Sequence, residues 1–147
     1  METKRIDLGE INIREKICVT DPSFDVDAEG TFTFDAVPGK WKCAVDKSEN
    51  DGIITLYATT DNVAIDDIKE EVGVGELEDC WGIFDYEYFQ KNNQMNVYQS
   101  FELCRILDTY GIITPCSYWY DGQYKCYVHR NDQGIVNGIR LDYILED

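Results

Sequence analysis

Apolar and polar residues alternate along most of this chain, with the two-residue period of an extended strand. Ile17-Cys18-Val19 is a short apolar run closed by Asp21-Pro22-Ser23, where proline fixes φ and removes a ladder donor. Thr31 to Val37 alternates about Phe32, Phe34 and Ala36, so one side of an extended chain is apolar there. Pro38-Gly39 supplies a turn: the proline is preset for the first central position and the glycine is free to take positive φ. Trp41 to Val45 reads as the return strand, and Ser48 to Gly52 as a polar turn. Ile53 to Thr59 follows, β-branched and strand-like. Trp81 to Asp85, Ile112 to Tyr118, Tyr124 to His129 and Ile135 to Ile144 complete about eight strands. Asp121-Gly122 predicts a hairpin turn before the strand at Tyr124.

Two stretches carry a helical period. Ile65, Ile68 and Val72 lie three and four apart and predict a helix within 61–72, capped by Asp61 or Asn62 and ended by Gly73 and Gly75. Phe101, Cys104, Ile106, Leu107 and Tyr110, roughly at helical spacing, predict a second helix over 98–110, with Gly111 as its stop and a polar loop over 90–96 before it. The expected fold is mainly β, with α+β as its variant: an antiparallel β-sandwich or open barrel of about eight short strands with one or two helices.

Composition narrows this picture. The 147 residues suit one domain over 1–147. The net charge of −16 argues against direct binding to nucleic acid, which needs clustered Lys and Arg, and against an anionic membrane surface. It leaves a protein or small-molecule partner. No apolar run approaches the ~20 residues of a membrane span. Lys4-Arg5 lacks the apolar core of a secretory signal, so a soluble cytoplasmic chain is expected. The cysteines at 18, 43, 80, 104, 116 and 126, several inside apolar runs, read as reduced thiols mostly in the core.

Four segments carry a family resemblance: Val19-Thr20-Asp21-Pro22-Ser23-Phe24-Asp25, Pro38-Gly39-Lys40-Trp41, Gly82-Ile83-Phe84-Asp85 and Asp121-Gly122-Gln123-Tyr124. In order and spacing they are similar to motifs of a bacterial and phage family, a domain of unknown function, over residues 15–145. The family's Asp-Ser-Gly-Gln is replaced here by Leu77-Glu78-Asp79-Cys80, and its Gly-Tyr-Gly by Tyr118-Trp119-Tyr120. The resemblance implies a fold more than an activity.

Candidate chemistry is sparse. No phosphate loop, nucleophile elbow or zinc-protease motif occurs, and no cofactor is expected. Cys126 and His129, three apart on a strand, point to opposite faces and make a poor metal or nucleophile pair. Asp25, Asp27 and Glu29 mimic the start of a calcium loop, but Ala36 stands where the bidentate glutamate belongs, so only a loose cation site is conceivable. Eight acidic residues between Asp61 and Asp79 could imitate a phosphate backbone and occupy a basic protein, although such runs are usually solvated faces. Tyr118, Trp119, Tyr120, Asp121 and Tyr124 cluster at the expected hairpin tip, where aromatics suit recognition and also simple cross-strand pairing. The leading expectation is therefore a non-catalytic binding domain using this tip. The alternatives are a hydrolase with a carboxylate pair, Asp21 and Asp85, and an acidic inhibitor.

Overall fold

The computed structural model describes residues 3–20, 31–48, 52–77, 80–92, 105–107, 109–115 and 122–144. They form β1 (Thr3–Ile13), β2 (Lys16–Thr20), β3 (Phe32–Asp35), β4 (Gly39–Ser48), β5 (Gly52–Thr59), β6 (Glu70–Leu77), β7 (Cys80–Asp85), α1 (Tyr86–Asn92), β8 (Arg105–Leu107), β9 (Gly111–Pro115), β10 (Gly122–Arg130) and β11 (Val136–Tyr143). Six strands make an antiparallel sheet in the order β1-β4-β5-β11-β10-β6, and five make a second in the order β3-β2-β7-β9-β8. The mainly β expectation holds: two sheets pack face to face without closing into a barrel.

The core follows from alternation on both sheets. Trp41, Val45, Leu56, Tyr124, Ile139 and Leu141 of the six-stranded sheet meet Ile17, Val19, Trp81, Ile83 and Ile112 of the other. Each such side chain contributes about 1.5–3 kcal/mol by leaving water. The five-stranded sheet is apolar on its far face too, where Cys18, Phe84 and Ile113 pack under Tyr88 and Phe89 of α1. Burial on both faces explains why Ile17-Cys18-Val19 and Ile112-Ile113 are continuous apolar runs.

The sheet edges approach one another on both sides. The Asn12 N–H donates to the Thr109 carbonyl at 2.7 Å, tying β1 to the turn between β8 and β9. Opposite, Phe32 of β3 lies so close to Gly73 of β6 that a Cβ there would stand 2.9 Å from the ring.

Several elements differ from expectation. β1 is the longest strand and its pattern hides it: Ile6 and Leu8 alternate in one phase, Ile11 and Ile13 in another. The register shift between Asp7 and Gly9, with Gly9 at φ +118°, moves the phase by one residue. The helix expected within 61–72 is one turn of 3-10 helix, Ile65–Asp67, followed directly by β6. Ile68 is fully buried and lies against Gly138, so the 60–69 connection crosses the outer face of the six-stranded sheet over β11. Gly75, expected to stop a helix, is within β6, where a Cβ would come within 2.2 Å of the Tyr124 ring. The close approach to Tyr124 is what requires glycine there. In the second expected helix, residues 105–107 form β8 and 109–110 a turn, while 98–104 and 108 lie outside the described residues. The helix that does form, α1, covers part of the stretch read as a loop.

The expected hairpin at Asp121-Gly122 is also revised. β9 pairs with β7 and β8, whereas β10 pairs with β11 and β6, so the chain passes between sheets there.

Candidate functional site

A cleft of about 290 Å³ opens between the β1–β2 bend and the start of α1, lined by Arg14, Glu15, Lys16, Asp85, Tyr86 and Glu87. Its organiser is Arg14. One guanidinium nitrogen, Nη1, lies 2.8 Å from Glu87 Oε2, and Nε lies 3.6 Å from Asp85 Oδ2. The Tyr110 ring centroid is 4.3 Å from the guanidinium carbon, a cation–π distance. Hydrogen bonds from Arg14 and then Lys91 hold the Glu87 carboxyl below its ordinary pKa. On the other wall, the Lys16 ammonium sits 5.8 Å from the Tyr86 ring centroid and makes no ion pair among the described residues.

The turn behind this cleft is strained. Thr109 has φ +66°, a left-handed conformation that a β-branched residue adopts only when its surroundings hold it. Asn12 does so twice, through its backbone N–H and through Nδ2, which donates to Thr109 Oγ1 at 3.3 Å. The next residue, Tyr110, accepts the Asp85 N–H at 2.8 Å and stacks on Tyr88 with centroids 5.9 Å apart. The strained turn thereby fixes the ring on which Arg14 rests.

Asp85, a catalytic candidate from sequence, is fully buried at the cleft floor. Its Oδ1 accepts the Arg14 N–H at 2.9 Å and its Oδ2 the Tyr88 N–H at 3.1 Å. Tyr88 is the third residue of α1, so Asp85 is the side-chain N-cap of that helix. The β2–β7 ladder sets Asp85 opposite Ile17 and Gly82 opposite Thr20. Asp85 thus stands at one end of β2, and Thr20, to which Asp21 is attached, three residues or about 10 Å away. Asp21 itself lies outside the described residues, as do Asp25, Asp27 and Glu29.

The described thiols Cys18, Cys43 and Cys126 are free and buried. Burial pushes Cys18 and Cys43 up to about 12, and Cys126 upward as well, so none is a ready thiolate. His129 Nδ1 is 2.6 Å from Asn137 Oδ1, which fixes the ring. No group of metal-ligating side chains occurs among the described residues.

The described acids of the run, Asp61 to Glu76, are spread over the crossing connection and β6, and three of them are ion-paired. Asp61 pairs with Lys42 at 3.1 Å, Glu70 with Arg130 at 3.2 Å and Glu71 with Lys125 at 3.6 Å.

Tyr118, Trp119, Tyr120 and Asp121 lie outside the described residues, but both strands that anchor them are placed. The β7–β9 ladder ends at Cys80 opposite Pro115, and the β6–β10 ladder resumes at Leu77 opposite Gly122. Two residues, 78–79, join these ladders on one side and six, 116–121, on the other. Tyr124 is fully buried, with its ring 6.2 Å from Phe32 and 6.1 Å from Trp81, and belongs to the core.

Of the sequence candidates among the described residues, Asp85 lies in the cleft and Tyr124 does not. Arg14, Lys16, Glu87 and Tyr110 went unnoticed. A lone Arg-x-Lys and an acid after Gly-Ile-Phe-Asp carry no motif; only the pairing of β2 with β7 joins them. No helix among the described residues is long and apolar enough to cross a membrane. Comparison with protein-family models, curated proteins and solved structures found no significant match.

Proposed function

We propose that this chain is a non-catalytic binding domain whose recognition surface includes the aromatic segment Tyr118-Trp119-Tyr120-Asp121. The observation that carries this reading is the mismatch at the sheet crossing. Six residues span what two residues span on the facing strand. The connection is four residues longer than its counterpart, and three of its six residues are aromatic. A surplus connection anchored by ladders at both ends is where binding residues concentrate, and aromatic side chains there gain contact area at low entropic cost.

The hydrolase alternative is weaker, because both oxygens of Asp85 accept backbone N–H groups, one from the β1–β2 bend and one from α1. The acidic-inhibitor alternative is weaker because several acids of the run have basic partners within the chain. The bacterial and phage family resemblance remains part of the proposal as an argument about fold. In its Pro-Gly-x-Trp segment, the Trp41 indole N–H closes the turn on the Val37 carbonyl at 2.8 Å. Free buried thiols suit a reducing compartment, so the reading includes a cytoplasmic location.

The test compares lysate components captured by the intact chain and by Trp119→Ala. Trp41 and Trp81 are fully buried, so near-ultraviolet circular dichroism of the variant reports whether the core is intact. The expected result is a preserved core and a lost component. Identical capture by both proteins overturns the reading.

A further inference from the structure

We propose that the Arg14 cleft is a second binding site, one that takes a small, net-neutral, hydroxyl-rich ligand of about monosaccharide size. This rests on the binding-domain reading and adds a site and a ligand class to it.

The size argument comes first. A cleft of about 290 Å³ falls at the low end of small-molecule pockets, which admits one sugar-sized ring and little more. The charge argument follows. Arg14 and Lys16 carry two positive charges, and Glu15, Asp85 and Glu87 three negative ones, all on the same walls. An anion meets three carboxylates, in a chain of net charge −16. A cation meets the guanidinium and the Lys16 ammonium, which makes no ion pair among the described residues. A neutral ligand carries neither penalty.

The hydrogen-bonding argument completes the case. Arg14 donates to Glu87 and to Tyr110 and lies within ion-pair distance of Asp85, which leaves donors on its planar fork. Glu87 and Glu15 hold spare acceptor lone pairs, and the Lys16 ammonium offers three donors. Donors and acceptors set side by side match hydroxyl groups, each of which both donates and accepts.

The site is also organised in advance. Arg14 is held by Asp85, Glu87 and the Tyr110 ring at once, so little side-chain entropy remains to be lost on binding. The strained backbone of Thr109 is what places Tyr110 there. A backbone outlier behind a cleft, held by two hydrogen bonds from Asn12, is the pattern by which proteins fix a binding geometry at a cost in local stability.

The experiment uses the whole chain in titration calorimetry and ligand-observed NMR. The probes are glucose, galactose and mannose, with inorganic phosphate and free lysine as charged counterparts. At least one sugar is expected to bind in the millimolar range. Lys16→Ala, an exposed change, should weaken it about tenfold without lowering the melting temperature. Thr109→Gly relaxes the turn; it should leave the melting temperature unchanged or raised and still weaken the same sugar, an outcome a merely structural turn does not give. The inference is overturned if no sugar binds, if sugar binding ignores both substitutions, or if phosphate or lysine binds more tightly than every sugar. Sugar binding with no Trp119-dependent capture sinks the aromatic-surface reading alone; the reverse sinks the cleft alone.

Discussion

Asp85 joins three parts of the chain through one carboxylate. It caps α1, receives the N–H of the β1–β2 bend, and lies against the Arg14 guanidinium. Removing it leaves two buried donors and a cation short of a partner. Asp85→Ala should therefore lower the unfolding free energy by about 3 kcal/mol, combining a lost cap with a broken, partly buried ion pair. Asp85→Asn retains one acceptor and should cost less. Urea denaturation measures both. A wild-type midpoint in Asp85→Ala would mean that the carboxylate is kept for chemistry and not for the fold. Such a residue reads from sequence as a candidate acid, because burial and backbone donors are invisible in a string of letters.

At the scale of elements, β7 illustrates how tightly the five-stranded sheet is drawn together. An alanine Cβ at Gly82 would stand 2.4 Å from the Ile112 carbonyl oxygen across the ladder and 2.7 Å from the Phe84 ring. The oxygen is backbone and cannot rotate away. Gly82→Ala should cost about 1–3 kcal/mol or more through overpacking. At Gly138 the nearest atoms are the flexible side chains of Val63 and Ile68 at 3.1–3.3 Å, so Gly138→Ala should cost less. Thermal melts of the two variants give the comparison, and equal losses would contradict the close approach at β7. The same closeness accounts for the Gly-Ile-Phe-Asp segment residue by residue. The glycine lets strands meet, the isoleucine enters the main core, the phenylalanine packs on Phe89 at 5.2 Å and the aspartate caps α1.

For the whole molecule, thiols are buried on both faces of the five-stranded sheet. Cys43 and Cys126 lie between the sheets, and Cys18 lies under α1. Burial pushes Cys18 and Cys43 up to about 12 and raises Cys126 too, so thiolate is scarce at any physiological pH. A brief iodoacetamide pulse followed by peptide mass spectrometry should find these three unlabelled in the native chain and labelled in urea. Native labelling at any of them would contradict the packing of the two sheets.

The eight strands read from alternation all coincide at least in part with strands of the two sheets, because burying one face is a local requirement that each segment states for itself. What the letters could not carry was anything that depends on a neighbour. β1 escaped because a bulge shifts its phase. Glu70 to Leu77 imitated the end of a helix because Ile65, Ile68 and Val72 have helical spacing, yet Ile68 is buried over a glycine of β11 and Val72 packs against the sandwich core from β6. The passage of the chain between sheets at 116–121 looks like a hairpin until its flanking strands are seen to pair elsewhere. Arg14, Asp85, Glu87 and Tyr110 become one site only when β2 pairs with β7 and the Thr109 turn reaches Asn12. Local periodicity is set by which face each residue must hide, and so it is legible in one dimension. Partners are chosen by the packing of distant segments, and that choice exists only once the chain has folded.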